Sequence, residues 1–195
     1  TVLSDIWFAM DTDYTPDDAA RCVRASLEEQ CALLGVDMSE LLGVGLAISA
    51  PVSYDGEILN GSILPTWCGT NIADVFFEQL GCPSHVENES HCGALAEMTW
   101  GAAVGESNFV LFKFDLGIGG AIVIDGTVQR GAHGYAAEFG HMSLDPRRTE
   151  AEVTDEHPYL AMLRGDRGIV LRIYAAGGSL LLVFLCAVGI FSLAT

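Results

Sequence analysis

The order of apolar runs predicts an α/β fold in two lobes. Strand-like and helix-like runs alternate over roughly the first half of the chain, and hairpin signals take over beyond Asn108. With 195 residues, of which 50% are hydrophobic, the chain can bury one good-sized core, or one small lobe and part of another. The expected division is a first lobe over residues 1–107, the start of a second over 108–146, and a divergent tail over 147–195.

Val2 to Met10, rich in apolar and aromatic residues, reads as a strand, and Asp11 to Tyr14 as a turn. Thr15-Pro16-Asp17-Asp18 is a helix start, with Thr15 as N-cap, Pro16 in the first helical position and acids beside the positive helix end. Ala20, Val23, Leu27, Cys31 and Leu34 then recur at helical spacing, and Gly35 stops the helix. Leu42 to Ile48 fits a strand covered on both faces, and Asp55-Gly56 is a turn signal. A second helix is expected from Asn71 to Leu80, ending at Gly81. A brief strand over Ser84 to Val86 and a third helix over His91 to Trp100 follow. Phe109 to Phe114 and Ala121 to Ile124 read as paired strands around Gly117-Ile118-Gly119-Gly120, and Asp125-Gly126 turns the chain towards Thr127-Val128.

Composition changes at Arg147. Residues 1–146 hold 21 acids against 4 bases, the whole of the net charge of −17, while residues 147–195 hold 5 of each. So acidic a body repels phosphate backbones and does not grip DNA by itself. From Ile173 to Thr195 there are 23 residues without a charge. That run has the length of a membrane span; the other readings are a buried helix, or a sequence altered by frameshift or truncation. The six cysteines show no paired CxxC spacing, which favours reduced thiols in a cytosolic protein.

Four motifs carry a resemblance. They are Gly43 to Val52 (GVGLAISAPV), Val86 to Glu97 (VENESHCGALAE), the Gly117 to Gly126 loop, and Gly131 to Met142 (GAHGYAAEFGHM). In order and spacing they resemble the ROK family, which groups sugar kinases with sugar-responsive transcriptional repressors. The resemblance implies the two-lobed actin-like ATPase (ribonuclease H-like) fold, here incomplete at both ends, with a sugar held in the cleft between lobes. It also implies sugar contacts at Asn88, Glu89, Glu138 and His141. A homodimer is expected with it, as is DNA contact only through a domain outside this chain.

The departures from the family pattern decide between its branches. Where the kinases carry an Asp as base for the sugar hydroxyl, this chain has Glu89, which keeps the carboxylate but moves it by one methylene. Glu89 is therefore a weak candidate base, since a base must lie within about 3 Å of its proton. The kinases also show Gly-Thr before the Gly-Ile-Gly-Gly of the phosphate loop, and here Asp115 and Leu116 stand there. An acid repels a polyphosphate, so Gly117, Gly119 and Gly120 are expected to form a degenerate phosphate loop. The first phosphate loop, of Asp-x-Gly-x-Thr type, is not in the chain. ATP and Mg are expected only under the kinase reading. The family's structural zinc uses the His of Glu-x-Gly-His plus three cysteines. His141 is present, but Met162, Arg164 and Ile169 stand where the cysteines would, so the zinc site is expected to be lost. A later sugar-contacting Glu would align near Arg172 and is also missing.

Each site residue has a plainer role open to it. Asn88 and Glu89 suit helix capping, and Glu138 with His141 at i, i+3 suits a hydrogen-bonded pair. The three glycines suit a tight hairpin needing positive φ. His91 reads as a helix-start residue, His133 as a loop residue, and Trp67 and Asn71 as frame or core. The chain thus reads as a sugar-binding effector domain of a regulator. An ATP-dependent hexose or N-acetylhexosamine kinase, or a nonfunctional remnant, are the alternatives.

Overall fold

The computed structural model describes residues 2–10, 13–59, 64–114, 118–141, 167–176 and 180–189. They form two compact units. The first runs to Glu89 and takes in Arg167–Val188; the second begins at Ser90.

The first unit is a five-stranded sheet with two helices. Its elements are β1 (Val2–Ala9), α1 (Pro16–Leu34), β2 (Leu41–Ile48), α2 (Ile72–Leu80) and β3 (Ser84–Asn88). The capping sequence works as expected: the Asp18 N–H donates to Thr15 Oγ1 at 3.2 Å and the Thr15 N–H donates to Asp18 Oδ2 at 2.9 Å. Gly35 closes α1 at φ 69°, a left-handed conformation that costs glycine least. Ala19, Ala20, Val23, Leu27 and Cys31 form the buried stripe of α1, whereas Leu34, its last residue, is 38% exposed. Asn71 caps α2 through its side-chain oxygen, and Gly81 ends it in the left-handed conformation.

β2 pairs with β3 in parallel, Ile48 opposite Asn88. β7 (Arg167–Ala176) and β8 (Leu180–Gly189) complete the sheet, in the order β1-β7-β8-β2-β3. β7 runs antiparallel to β1 and β8 parallel to β2. The described parts of the uncharged run from Ile173, residues 173–176 and 180–189, are strands and not helix. An apolar run of this kind suits a strand covered on both faces as well as it suits a helix. No helix among the described residues is long and apolar enough to cross a membrane.

The second unit holds α3 (Glu89–Trp100, from its second residue onward), β4 (Phe109–Phe114), β5 (Ile118–Ile124) and β6 (Thr127–Val128). The hairpin turn at Asp125-Gly126 has φ 49° and 73°, the left-handed pair that an Asp-Gly dipeptide favours. Ala94, Ala121 and Val123 form a small buried core, with Met98, Phe109, Leu111 and Val128 packed on it. That packing ties α3 to the β4–β5 hairpin. It explains why the compact units part at Glu89 and Ser90 and not near residue 107. Cys22, Cys31, Cys68, Cys82 and Cys92 are free thiols, with Cys31 and Cys82 buried; burial pushes these two up from their ordinary value.

Candidate functional site

In the first unit, β3 delivers Asn88 to the carboxyl end of the parallel strand pair, beside the loop that leaves β2. Its Nδ2 donates to the Ala50 carbonyl at 3.0 Å, and its backbone N–H donates to Glu87 Oε1 at 2.9 Å. Asn88 is thus fixed by the GVGLAISAPV segment, two of the four motifs meeting in one hydrogen bond. Glu87, 7% exposed, supplies the acceptor that holds the strand end. Glu89 opens α3, where a carboxylate is favoured by the helix dipole.

In the second unit, Ser90 and His91 are buried in the first turn of α3, each 3% exposed. Glu138 leads into a 3₁₀ turn, Phe139–His141, and accepts the His141 backbone N–H at 3.0 Å. His141 Nε2 lies 3.9 Å from Glu138 Oε2, with the imidazole 70% exposed and the carboxylate 31% exposed. Burial raises the Glu138 carboxyl above its ordinary value, and the charges of His141 and His91 oppose that rise. Burial lowers His91, and Glu138 opposes it. Glu138 and His141 are brought together as the i, i+3 spacing suggests. A carboxylate with an imidazole beside it can accept from and donate to neighbouring hydroxyls, which is the chemistry of a polyol site.

His91 is the residue that sequence reasoning undervalued. It does stand in the first turn of α3, as expected, but it is also a buried imidazole within electrostatic reach of Glu138. The signal was present in its spacing: His91, Ala94 and Met98 fall on one helical face, and that face packs on the hairpin.

The glycines also differ from expectation. Gly119 and Gly120 lie within β5, opposite Lys113 and Phe112, and neither has positive φ. They are needed for close approach. A Cβ on Gly119 would collide with Ser90 Oγ, and one on Gly120 with the Phe139 ring and the Leu111 carbonyl. Asp115, Leu116 and Gly117 lie outside the described residues, as do residues 142–166 with Met162 and Arg164. Trp67 is core: 1% exposed, with Nε1 donating to the Tyr14 carbonyl at 3.1 Å. Asn71, besides capping α2, donates to the Asp55 carbonyl at 2.8 Å. His133 is an exposed loop residue.

A structural zinc needs four ligands at bonding distance. His141 has one carboxylate at 3.9 Å, and no group of three or more His, Cys, Asp or Glu among the described residues could hold a metal ion. The described donors do not fit zinc.

The ROK family profile matches residues 12–156. A glucokinase from Halalkalibacterium halodurans is 32% identical over 108 residues, 55% of this chain and 33% of that protein. A xylose repressor from Bacillus subtilis is 29% identical over 107 residues, 54% of this chain and 27% of the repressor. Among solved structures, a ROK family glucokinase from Streptomyces griseus, in complex with glucose and AMPPNP, matches with a TM-score of 0.59 at 26% identity. The match covers 71% of this chain and 43% of that one. The chain spans about a third of the length of the curated relatives it matches. Its α/β architecture is that of the actin-like ATPase, or ribonuclease H-like, fold.

Proposed function

The chain belongs to the ROK family, and from that premise we propose that it is the sugar-binding effector domain of a cytoplasmic transcriptional regulator, without kinase activity of its own. The sugar's hydroxyls are met by Asn88 and Glu89 and by Glu138 and His141. One observation carries the choice of branch: these polar residues are kept, while Asp115 and Leu116 replace the Gly-Thr that precedes the kinases' phosphate loop. An acid at that place works against a triphosphate; a sugar, being neutral, is indifferent to it.

In this reading a bound sugar favours one conformation of a homodimer and so sets the spacing of DNA-reading heads. Those heads belong to a domain outside the present chain, because a body of net charge −17 does not attract DNA. No metal or nucleotide enters the reading. The test is calorimetry of the folded chain with xylose and a panel of hexoses and N-acetylhexosamines. Heat is expected with at least one sugar, and Glu138→Gln should weaken that binding about tenfold, the loss of one charge-assisted hydrogen bond. Absence of heat with every sugar would reject the proposal.

The kinase reading is kept because a glucokinase is among the relatives and Glu89 still offers a carboxylate. Coupled measurement of ADP release separates the two: sugar-dependent turnover that vanishes in Glu89→Gln would replace the regulator with a kinase.

A further inference from the structure

We propose that Phe139, seated on Gly120 and against Phe112, is the positioning residue that aims Glu138 and His141, so that the glycine at 120 serves the ligand-contact turn and not a phosphate. The proposal rests on the sugar reading only for the identity of the ligand.

Four observations within the second unit carry it. Gly120 is buried, and any side chain there would fall on the Phe139 ring edge. The Phe139 ring also meets Phe112, the cross-strand partner of Gly120, with centroids 4.5 Å apart and planes tilted by 30°. The ring thus rests in a seat formed by one missing side chain and one aromatic neighbour. The backbone around it is tightly wound: the Phe139 N–H donates to the Ala137 carbonyl at 2.7 Å, bracketing Glu138. Ala137 is held at φ 64°, which an alanine adopts only when its surroundings impose it.

These features form one device. Glu138 precedes Phe139 and His141 follows it by two residues, so a single ring anchored on the hairpin fixes the origin of both polar side chains. Without that anchor, Ala137 would relax from its left-handed conformation and Glu138 would swing from its half-buried position. The carboxylate would still be present but no longer aimed.

The experiment uses the full chain, with Phe139→Ala, Phe139→Leu and Gly120→Ala variants, read by NMR titration of the Glu138 carboxyl and by calorimetry with the sugar that binds the parent. Phe139→Ala should move the Glu138 midpoint down towards the ordinary carboxylate range, because its burial is lost, and weaken sugar binding about tenfold or more. Gly120→Ala should do the same by unseating the ring, while Phe139→Leu, which keeps an apolar group in the seat, should retain most of both. A role in stability alone would lower the folded fraction and the binding stoichiometry and leave the midpoint of the folded chain where it was. An unchanged Glu138 midpoint in folded Phe139→Ala or Gly120→Ala overturns the proposal. If no sugar binds the parent, the sugar reading fails, and the Glu138 midpoint still decides the positioning role by itself.

Discussion

A buried imidazole beside a half-buried carboxylate makes the pH response of this chain a question about two residues. His91 is 3% exposed and titrates below its ordinary 6.5, because burial penalises the charged ring more than Glu138 rewards it. The unfolded chain therefore takes up a proton at pH 6.5 that the folded chain still refuses, and stability falls as pH drops from 6.5 towards the folded value. Glu138 acts in the opposite sense: its folded value lies above 4.5, so the stability it contributes is full below pH 4.5 and is lost as pH rises through the raised value. The two are separable by substitution. His91→Gln removes the first effect, so parent and variant should diverge as pH is lowered from 7 to 5, the parent losing urea resistance and the variant holding it. Parallel urea midpoints across that range would mean that His91 titrates alike in the folded and unfolded chains. Asn88, Glu89, Glu138 and His141 drew attention because they stand in ordered motifs, and the i, i+3 spacing of Glu138 and His141 does bring the two side chains to 3.9 Å. The burial of His91 was only half legible: its spacing with Ala94 and Met98 gives the helical face, but not that the hairpin packs on that face.

Element by element, the sequence was most readable where a local rule acts alone. Thr15, Pro16, Asp18 and Gly35 bound α1 at the predicted ends, since capping and left-handed termination need only neighbouring residues. Thr15→Ala should accordingly cost about 1 kcal/mol of stability in urea denaturation. Thr15→Ser, which keeps the oxygen that accepts from Asp18, should cost a few tenths at most. Equal losses in the two variants would show that the Thr15 methyl matters and its hydroxyl does not. Boundaries were less readable where pairing, not propensity, sets the length. β3 extends to Asn88 because β2 continues alongside it to Ile48, and β5 begins at Ile118 because β4 offers Phe114 opposite. That extension draws Gly119 and Gly120 into a strand. Their reason for being glycine changes with it, from a turn that needs positive φ to the close passage of Ser90 and Phe139.

At the scale of the whole molecule, local patterns say which segments are strands but not which strands become neighbours. The order β1-β7-β8-β2-β3 puts the last two described strands inside the sheet that holds β1 at its edge. Nothing in the alternation of apolar residues predicts this; it follows from edges that β1 and β2 leave unsatisfied. Among the described residues β1 pairs with β7 alone, and β2 is held by β8 on one side and β3 on the other. A strand edge without a partner exposes a row of N–H and C=O groups, and the apolar residues of β2 would lose a flanking strand. Ending the chain at residue 166 should therefore strip the first unit of its cooperative transition and leave the second unit's small core intact. The check is amide hydrogen exchange on the shortened chain. Leu46 and Ile48 in β2, which pair with Leu185 and Ala187, should lose their protection, and Ala121 and Val123, buried against α3, should keep theirs. Full protection at Leu46 in the shortened chain would mean that β2 and β3, with α1 and α2 over them, are sufficient without the centre of the sheet.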